Sequence, residues 1–308
     1  MRIVVIGQAA FGEKTLEALL EKGEKVAGVF VPPDKPGSAP DPLKLLAASR
    51  DIRVIQPTTY KDDGVFELYR SLKPDLTILA FVTVIIPAKY FDAATLGAIC
   101  YHPSLLPRHR GASAINWAIM MGDTQTGLTI FWPDGGIDTG PILLQRKVEI
   151  HPEDTTGSLY FNHLFPMGIQ AILDSVDWIR EGRAPRIPQK EEEATYEPPC
   201  DDRVARIDWN RSGQEIFNWI RGCDPQPGAY SYMKGEKIRF FGAKLISEIA
   251  PLPAGTITRI AREGIQIAVS LGNILVTKMR SPTEGKLPAL ELAMKKGWTV
   301  GDRFEPMA

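Results

Sequence analysis

Residues 1–31 of the chain read MRIVVIGQAAFGEKTLEALLEKGEKVAGVFV, and this stretch decides the fold class. The apolar run Arg2–Gly7 predicts a buried strand. Leucines at helical spacing predict an amphipathic helix over Phe11–Lys22, and Lys25–Val31 predicts a second strand. The chain therefore opens with a βαβ unit, which is typical of α/β proteins with a parallel sheet.

Strands and helices continue to alternate as far as residue 180. Further strands are predicted at Arg53–Gln56, Asp75–Phe81, Ala98–His102, Leu128–Trp132 and Ile142–Ile150. Further helices are predicted near Asp62–Leu72, Ser113–Met121 and Thr156–Arg180, the last with a kink at Pro166. This alternation predicts an α/β fold with a doubly wound, mostly parallel sheet. Such sheets bind ligands outside the carboxyl ends of their strands.

The composition changes after this alternating part. Gly182–Arg206 contains four prolines and no hydrophobic periodicity, which is typical of a connection that runs over the surface between domains. Ser212 and Glu215 have the spacing of a capping box and predict a helix to about Arg221. Three hairpin turns are then predicted, at Lys234-Gly235, Glu263-Gly264 and Gly272-Asn273. We expect an N-terminal domain over residues 1–205 and a small closed β-barrel over residues 206–308.

Composition and charge argue against several classes of protein. The 308 residues are 44% apolar and carry 36 basic against 37 acidic side chains. A net charge of -1 gives no global field that would attract nucleic acid or an anionic membrane. The sequence has no apolar run of membrane-spanning length, and the apolar run at its start is too short for a signal peptide. We therefore expect a cytoplasmic protein without a membrane partner.

Cysteine and histidine are too few and too scattered for a metal centre. The three cysteines, at positions 100, 200 and 223, fit neither a disulfide framework nor a zinc site. The four histidines never take the spacing of a helical metal pair, so we expect no metal. Cys100 is open to two interpretations, a nucleophile or a buried residue at a strand end, and its apolar neighbours favour burial.

Two neighbouring loops carry the strongest chemical signal. Residues 100–111 read CYHPSLLPRHRG, so the prolines at 103 and 107 predict a rigid irregular loop directly after His102. Residues 133–140 read PDGGIDTG and offer Asp138 in a glycine-rich turn. We place both residues on the carboxyl edge of the predicted sheet, where a histidine and an aspartate suit general acid–base catalysis. The alternative is a structural histidine and an Asx turn.

The turn after the first strand gives little support to a dinucleotide site. Residues 7–12 read GQAAFG and approximate a Rossmann fingerprint, but Ala9 replaces the glycine that allows the backbone to approach a pyrophosphate. Gly7 and Gly12 are then explained by a tight turn between strand and helix. We expect no NAD(P) in this chain.

The two polar loops together resemble a known family. HPSLLP at residues 102–107 with Arg110-Gly111, followed by GIDTG at 136–140, is similar to the paired signature of the 10-formyltetrahydrofolate-dependent formyltransferases. The similarity covers nearly the whole chain and is highest to the hydrolase domain of 10-formyltetrahydrofolate dehydrogenases. Most transferases of the family carry asparagine two residues before the motif histidine. This chain has Cys100 there, and the hydrolase domain also lacks that asparagine.

The resemblance implies a fold, a substrate and a set of site residues. It implies a Rossmann-like domain followed by an OB-like barrel, with 10-formyltetrahydrofolate as substrate and tetrahydrofolate as product. His102 would act as general base and then steady the oxyanion, while Asp138 would orient His102 and the attacking water. The residues implied to contact folate are Val84, Ile85, Ile86, Cys100, Ser104, Arg110, Gly111, Asp134 and Gly136.

The sequence leaves the identity of the formyl acceptor open. The resemblance to the hydrolase domain favours water, or a partner such as the carrier and aldehyde dehydrogenase domains that follow it in the dehydrogenases. An amine acceptor, on methionyl-tRNA, an amino sugar or another small amine, is the first alternative, and a folate-binding module without catalysis is the second. Methionyl-tRNA is disfavoured because Pro32–Pro42 has one lysine and two aspartates where tRNA formyltransferases carry a basic loop.

Overall fold

The computed structural model describes residues 1–248 and 251–306, and its first part alternates strands with helices. The strands are β1 (Arg2–Gly7), β2 (Lys25–Phe30), β3 (Val54–Ile55), β4 (Leu76–Ala80), β5 (Ala98–His102), β6 (Gln125–Phe131) and β7 (Ile142–Glu149). The helices are α1 (Ala9–Glu21), α2 (Pro42–Ser49), α3 (Asp63–Ser71), α4 (Lys89–Asp92), α5 (Ala114–Met120), α6 (Thr156–Leu159) and α7 (Phe165–Arg180). A π-helical turn, Tyr160–Leu164, separates the last two.

The seven strands form one sheet in the order β3-β2-β1-β4-β5-β6-β7. Parallel pairing joins β1 to both β2 and β4, and joins β4 to β5. The strand order changes direction between β1 and β4, which is where doubly wound sheets bind ligands. A Cβ atom at Gly7 would lie 2.3 Å from the carbonyl oxygen of Ala80, so β1 approaches β4 this closely only with glycine there. The predicted α/β fold class is confirmed.

Some local predictions need correction. β6 is antiparallel to β5, with His102 opposite Thr129, so the two strands do not share a carboxyl edge. Alternating strands and helices do not fix strand direction. The kink expected at Pro166 is replaced by the π-helical turn before it, because Pro166 lies in the first turn of α7, where no backbone N–H is needed. Helix α2 was not predicted from the sequence. It is capped by Asp41, whose carboxylate accepts a hydrogen bond from Leu43 N at 2.9 Å.

Packing divides the chain into two compact units. The first comprises residues 1–110, 127–148 and 162–196, and the second comprises residues 111–126, 149–161 and all those from Glu197 onward. The first unit has an aromatic cluster in its core, which includes Phe30, Tyr69 and Tyr90. The division expected between residues 205 and 206 stays a prediction.

The second unit is built around an antiparallel sheet. Its strands are β8 (Tyr230–Met233), β9 (Glu236–Ile246), β10 (Ile257–Ala261), β11 (Gly264–Val269), β12 (Gly272–Ser281) and β13 (Gly285–Pro288). They are ordered β10-β11-β12-β9-β8, with β13 paired to β12. Helix α8 (Gly213–Gly222) begins at the predicted capping box of Ser212, and α9 (Ala289–Lys296) was not expected from the sequence pattern.

The C-terminal segment joins the two edges of this sheet. Phe304 N donates to Gly255 O, just before β10, at 2.9 Å, and Glu305 N donates to Tyr232 O in β8 at 2.8 Å. These bonds close the sheet around the rings of Trp209 and Phe240, as the prediction of a small β-barrel requires. The predicted hairpins form, although only the turn at Lys234-Gly235 lies where it was expected. The other two turns are Arg262-Glu263 and Ser270-Leu271.

Two of the three cysteines are neighbours in space, which their separation in sequence does not indicate. Cys200 Sγ and Cys223 Sγ lie 3.7 Å apart in the second unit, both as free thiols. The hydrogen bond between the two thiols lowers the pKa of Cys200. The same hydrogen bond, together with burial, raises the pKa of Cys223.

Cys200 is expected to react with iodoacetamide at least about tenfold faster than Cys223 in the folded protein, because Cys200 is partly exposed and its lowered pKa favours the nucleophilic thiolate, whereas Cys223 is buried. Peptide mass spectrometry after timed alkylation measures both rates. The protein unfolded in urea is the control, in which the two cysteines should react alike. Equal rates in the folded protein would contradict the expected difference.

Candidate active site

Strand β5 presents two predicted site residues on one face. Side chains alternate along a strand, so Cys100 and His102 point to one side and Tyr101 to the other. The Tyr101 ring stacks on Phe11 with centroids 4.3 Å apart. A Cβ atom at Gly168 in α7 would lie 2.5 Å from that ring, so the glycine allows α7 to pack closely behind β5. The strand that carries His102 is therefore packed tightly on its opposite face, where Tyr101 contacts Phe11 and α7.

The His102 ring has a defined orientation. Its Nε2 lies 2.7 Å from the carbonyl oxygen of His109, and its Nδ1 lies 3.4 Å from Oδ2 of Asp138. A carbonyl only accepts, so Nε2 carries the hydrogen of the bond to His109. Nδ1 is then the ring nitrogen that faces the carboxylate and can accept a proton. The two residues predicted to be catalytic thus lie in contact, and the His102 side chain is only 7% exposed.

The loop between β6 and β7 brings Asp138 back to His102 although β6 runs antiparallel to β5. Asp138 has a left-handed backbone with φ of 56°. Asp134 Oδ1 accepts from Gly136 N at 3.0 Å and from Thr139 Oγ1 at 2.6 Å, which closes the turn. A Cβ atom at Gly136 would lie 2.1 Å from Thr139 Oγ1, so this turn needs glycine there. In this structure Asp134 and Gly136 shape the loop that presents Asp138.

The buried side chain of Arg110 forms an ion pair with Glu191, whose own side chain is exposed. Its side chain is fully buried, and its guanidinium donates to both carboxylate oxygens of Glu191 at 2.7 and 2.9 Å and to Tyr196 Oη at 2.6 Å. The bond to Glu191 raises the pKa of Arg110 and lowers that of Glu191. The guanidinium also donates to Gln189 Oε1. These contacts fix Arg110 within the protein, and its expected contact with folate stays a prediction.

The loop after His102 is bonded to the segment 189–196. Arg110 N donates to Thr195 O at 3.0 Å, and His109 N donates to Thr195 Oγ1 at 2.8 Å. Within the loop, buried Ser104 donates through Oγ to Arg108 O at 2.6 Å. Residues 189–196 belong to the stretch predicted to be a surface connection. The structure gives them a second role, as a brace against the loop that follows His102.

Cys100 is held as a neutral thiol. Burial raises its pKa well above the usual value, and the nearby carboxylate of Asp138 adds to the shift. A thiolate is the reactive form of cysteine, so this environment argues against the nucleophile interpretation. Gly111, the last residue of the motif loop, has a φ of +86°, a conformation that suits glycine.

The segment after β4 offers apolar surface at the switch point of the sheet. Val84 and Ile85 are 58% and 82% exposed, whereas Ile86 is buried in the core. Exposed aliphatic side chains beside a switch point are suited to a flat heterocycle. At the neighbouring end of β1, Ala9 N donates to Asp41 Oδ2 at 2.8 Å. The Asp41 carboxylate thus accepts the hydrogen bond of the amide that would face a phosphate in a dinucleotide site.

Residues 1–248 and 251–306 contain neither a cluster of metal-binding side chains nor a helix of membrane-spanning character. Histidine, cysteine, aspartate and glutamate side chains form no group of three or more that is arranged to hold a metal ion. None of the helices described is long and apolar enough to cross a membrane.

Two family models match the sequence over most of its length. The model described as formyl transferase matches residues 1–170, which include both His102 and Asp138. The chain belongs to the formyl transferase family. A second model, described as the C-terminal domain of formyl transferase, matches residues 201–297.

Two kinds of curated relative are similar to this chain. It is 44% identical over 256 residues to mitochondrial 10-formyltetrahydrofolate dehydrogenase of Homo sapiens, which covers 82% of this chain and 28% of the relative. The chain therefore spans less than a third of the length of that dehydrogenase. It is 36% identical over 294 residues to methionyl-tRNA formyltransferase of Moorella thermoacetica, covering 94% of both.

Solved structures share the fold of this chain. HypX from Aquifex aeolicus in complex with tetrahydrofolic acid matches with a TM-score of 0.70 and 22% identity, over 100% of this chain and 51% of that chain. An N-formyltransferase from Helicobacter canadensis, in complex with folinic acid and dTDP-3-aminofucose, matches with a TM-score of 0.68 and 20% identity, over 89% and 97%. At these identities the similarity shows the fold alone.

Proposed function

We propose that the chain binds 10-formyltetrahydrofolate and releases its formyl group, with water as the acceptor. The contact between His102 Nδ1 and Asp138 Oδ2, 3.4 Å, carries this proposal, because it joins a proton acceptor to a fixed carboxylate at the motif loops. The 44% identity to a 10-formyltetrahydrofolate dehydrogenase supports the choice of folate. Cys100, where the transferases carry asparagine, supports water over an amine.

His102 and Asp138 divide the proposed chemistry between them. Nδ1 of His102 takes a proton from the water molecule that attacks the formyl carbon, while Nε2 stays bonded to His109 O. The imidazolium that forms stabilises the tetrahedral oxyanion, and Asp138 stabilises the imidazolium. When the bond from the formyl carbon to N10 of the folate breaks, the imidazolium returns its proton to N10. Formic acid, which loses the second proton of the water to become formate, and tetrahydrofolate then leave, and the proposed mechanism uses no metal.

The folate would lie along the carboxyl end of β4. Its pterin ring would cover the exposed side chains of Val84 and Ile85, and its N10 would reach the Cys100 and His102 face of β5. The roles we propose for Ser104, Gly111, Asp134 and Gly136 are to shape the two loops around the formyl group, as their contacts in the structure support. Arg110 would act indirectly, through its hydrogen bonds to Gln189.

One assay tests the proposed function against its alternatives. The protein is incubated with 10-formyltetrahydrofolate alone and then with candidate amines, and formate and formylated amine are quantified. Formate release without an amine is the expected result. Turnover that requires an amine would replace hydrolysis by transfer, and folate binding without any turnover would leave a non-catalytic folate-binding module.

Transfer to an amine is the second candidate because methionyl-tRNA formyltransferase of Moorella thermoacetica matches nearly end to end. The loop Pro32–Pro42 argues against tRNA as the amine, since Lys35 is its only cation and its Asp34 pairs with Lys44. An amino sugar or another small amine fits this alternative better.

Initiator tRNA is expected to bind no better than about 10⁻⁴–10⁻⁶ M at physiological salt, the range of non-specific contacts. It is also not expected to be formylated. The physical reason is that the exposed Pro32–Pro42 loop supplies too few cations to neutralise phosphates. Filter binding at two salt concentrations, with a tRNA formyltransferase as positive control, measures the affinity. Rapid formylation of charged initiator tRNA would promote the transferase alternative.

The relatives also suggest a location and partner domains for this protein. We propose a cytoplasmic location, supported by cytosolic 10-formyltetrahydrofolate dehydrogenase of Xenopus tropicalis, which is 45% identical over 83% of this chain. We also propose that the formyl group can pass to carrier and aldehyde dehydrogenase domains, covalently attached or separate. Such domains would account for the length of the dehydrogenases that this chain leaves unmatched.

A further inference from the structure

We propose that Gln189 is a positioning residue for the reaction, and that its amide sets the backbone from which Asp138 reaches His102. This inference rests on the proposed function and adds to it a residue that lies outside both motif loops. Gln189 Nε2 donates to Asp138 O at 2.8 Å and to Gly140 O at 2.7 Å. The two carbonyls are that of Asp138, which has the left-handed backbone, and that of the residue two positions later.

The Gln189 amide has only one orientation that satisfies its neighbours. Arg110 only donates, through Nη2 at 2.8 Å and Nε at 3.1 Å, so the atom that faces it must be the amide oxygen. The carbonyls of Asp138 and Gly140 only accept, so the atom that faces them must be the amide nitrogen. Exchanging the two ends of the amide would place an acceptor against both carbonyls. Arg110 therefore selects the orientation in which Gln189 holds the loop.

The chain of contacts is anchored away from the reacting atoms. Arg110 is held by both carboxylate oxygens of Glu191 and by Tyr196 Oη, and its side chain is fully buried. The contacts thus run from Glu191 and Tyr196 to Arg110, from Arg110 to Gln189, and from Gln189 to the backbone of Asp138. A residue that acts in this way changes the placement of Asp138 without touching folate, and misplacement of a reacting group by about 1 Å costs up to a hundredfold in rate.

Gln189→Glu tests the inference with almost no change in side-chain size. One carboxylate oxygen keeps the contact with Arg110, while the other faces two carbonyl oxygens and repels them. We expect kcat for formate release to fall about ten- to a hundredfold with little change in KM. When the glutamate is protonated it regains a donor, so the ratio of variant to wild-type kcat should rise as pH falls.

Two controls separate positioning from charge and from folding. Gln125→Glu makes the same charge change at an exposed position at the start of β6 and should leave kcat and its pH profile unchanged. Gln189→Leu removes the amide without adding charge and should lower kcat at every pH. A flat variant-to-wild-type ratio for Gln189→Glu across pH, or a loss confined to KM, would overturn the inference.

A readout without turnover separates this inference from the proposed function. The imidazole resonances of His102, followed by NMR in the folded apo protein, report its contact with Asp138. They should shift in Gln189→Leu and Gln189→Glu and stay unchanged in Gln125→Glu. Unchanged His102 resonances in both Gln189 variants would overturn the positioning role. If the shifts occur but the wild type releases no formate, the positioning stands and the proposed hydrolysis fails.

Discussion

Asp138→Asn and His102→Ala are each expected to slow formate release at least about a hundredfold, the usual effect of removing a positioned acid–base group. Asparagine keeps the shape of Asp138 but has no charge to stabilise the imidazolium that forms on His102. Alanine at position 102 removes the proton acceptor itself. Initial rates of formate release at saturating 10-formyltetrahydrofolate measure both effects.

The double variant sharpens this prediction. Residues that act as a unit show strongly non-additive losses, so His102→Ala combined with Asp138→Asn should be little slower than the worse single variant. Asp92→Asn and His151→Ala, at exposed positions elsewhere, are the matched controls. Losses that multiply in the double variant would mean that the two residues act independently. Near-wild-type rates in either single variant would remove that residue from the mechanism.

Cys100→Asn is expected to speed release of the formyl group from folate by up to about 10²–10³-fold and to shift its partition from water toward an added amine. A thiol is a poor hydrogen-bond donor, and the partly buried thiol of Cys100, whose pKa is raised, offers little to an oxyanion. An asparagine amide there would add a donor, and such a donor contributes about 2.7–4 kcal/mol in other oxyanion holes. It would also accept from an incoming amine.

The ratio of formylated amine to formate, at fixed amine concentration, measures this partition in wild type and variant. Cys200→Ser, at a partly exposed position in the second unit, is the control for loss of a cysteine. Folate affinity is measured in parallel, so that a change in binding is not mistaken for a change in partition. Identical partition in wild type and Cys100→Asn would leave Cys100 as a packing residue of β5.

The sequence was sufficient for the parts of the fold that local patterns determine. Strand β5 has the predicted bounds Ala98–His102, because an apolar run that ends directly before a proline leaves little choice of where the strand can end. The contact between His102 and Asp138 was also anticipated, from the proline-rich and glycine-rich loops beside them, although the shared carboxyl edge expected for them does not exist. The direction of β6 was not, because periodicity reports the burial of a strand and not its orientation.

The residues that the sequence did not reveal act through hydrogen bonds to main-chain carbonyls and amides. Gln189 and Thr195 lie in a segment without periodicity, and their partners are backbone atoms of distant loops. Such contacts leave no spacing that can be recognised along the chain. Arg110 shows the converse problem. Its place in a motif indicates importance, but only its burial among Gln189, Glu191 and Tyr196 indicates what it contacts.

The brace formed by residues 189–196 sets a minimum length for any fragment meant to keep the site. The family model for the first domain ends at residue 170, which makes that position an obvious place to cut the chain. A fragment cut there would keep His102, Asp138 and every motif residue, yet it would leave Arg110 as an unpaired charge and the Asp138 loop without its amide support. An excised catalytic domain therefore has to continue through Tyr196, and inactivity of a shorter one would say nothing about the chemistry.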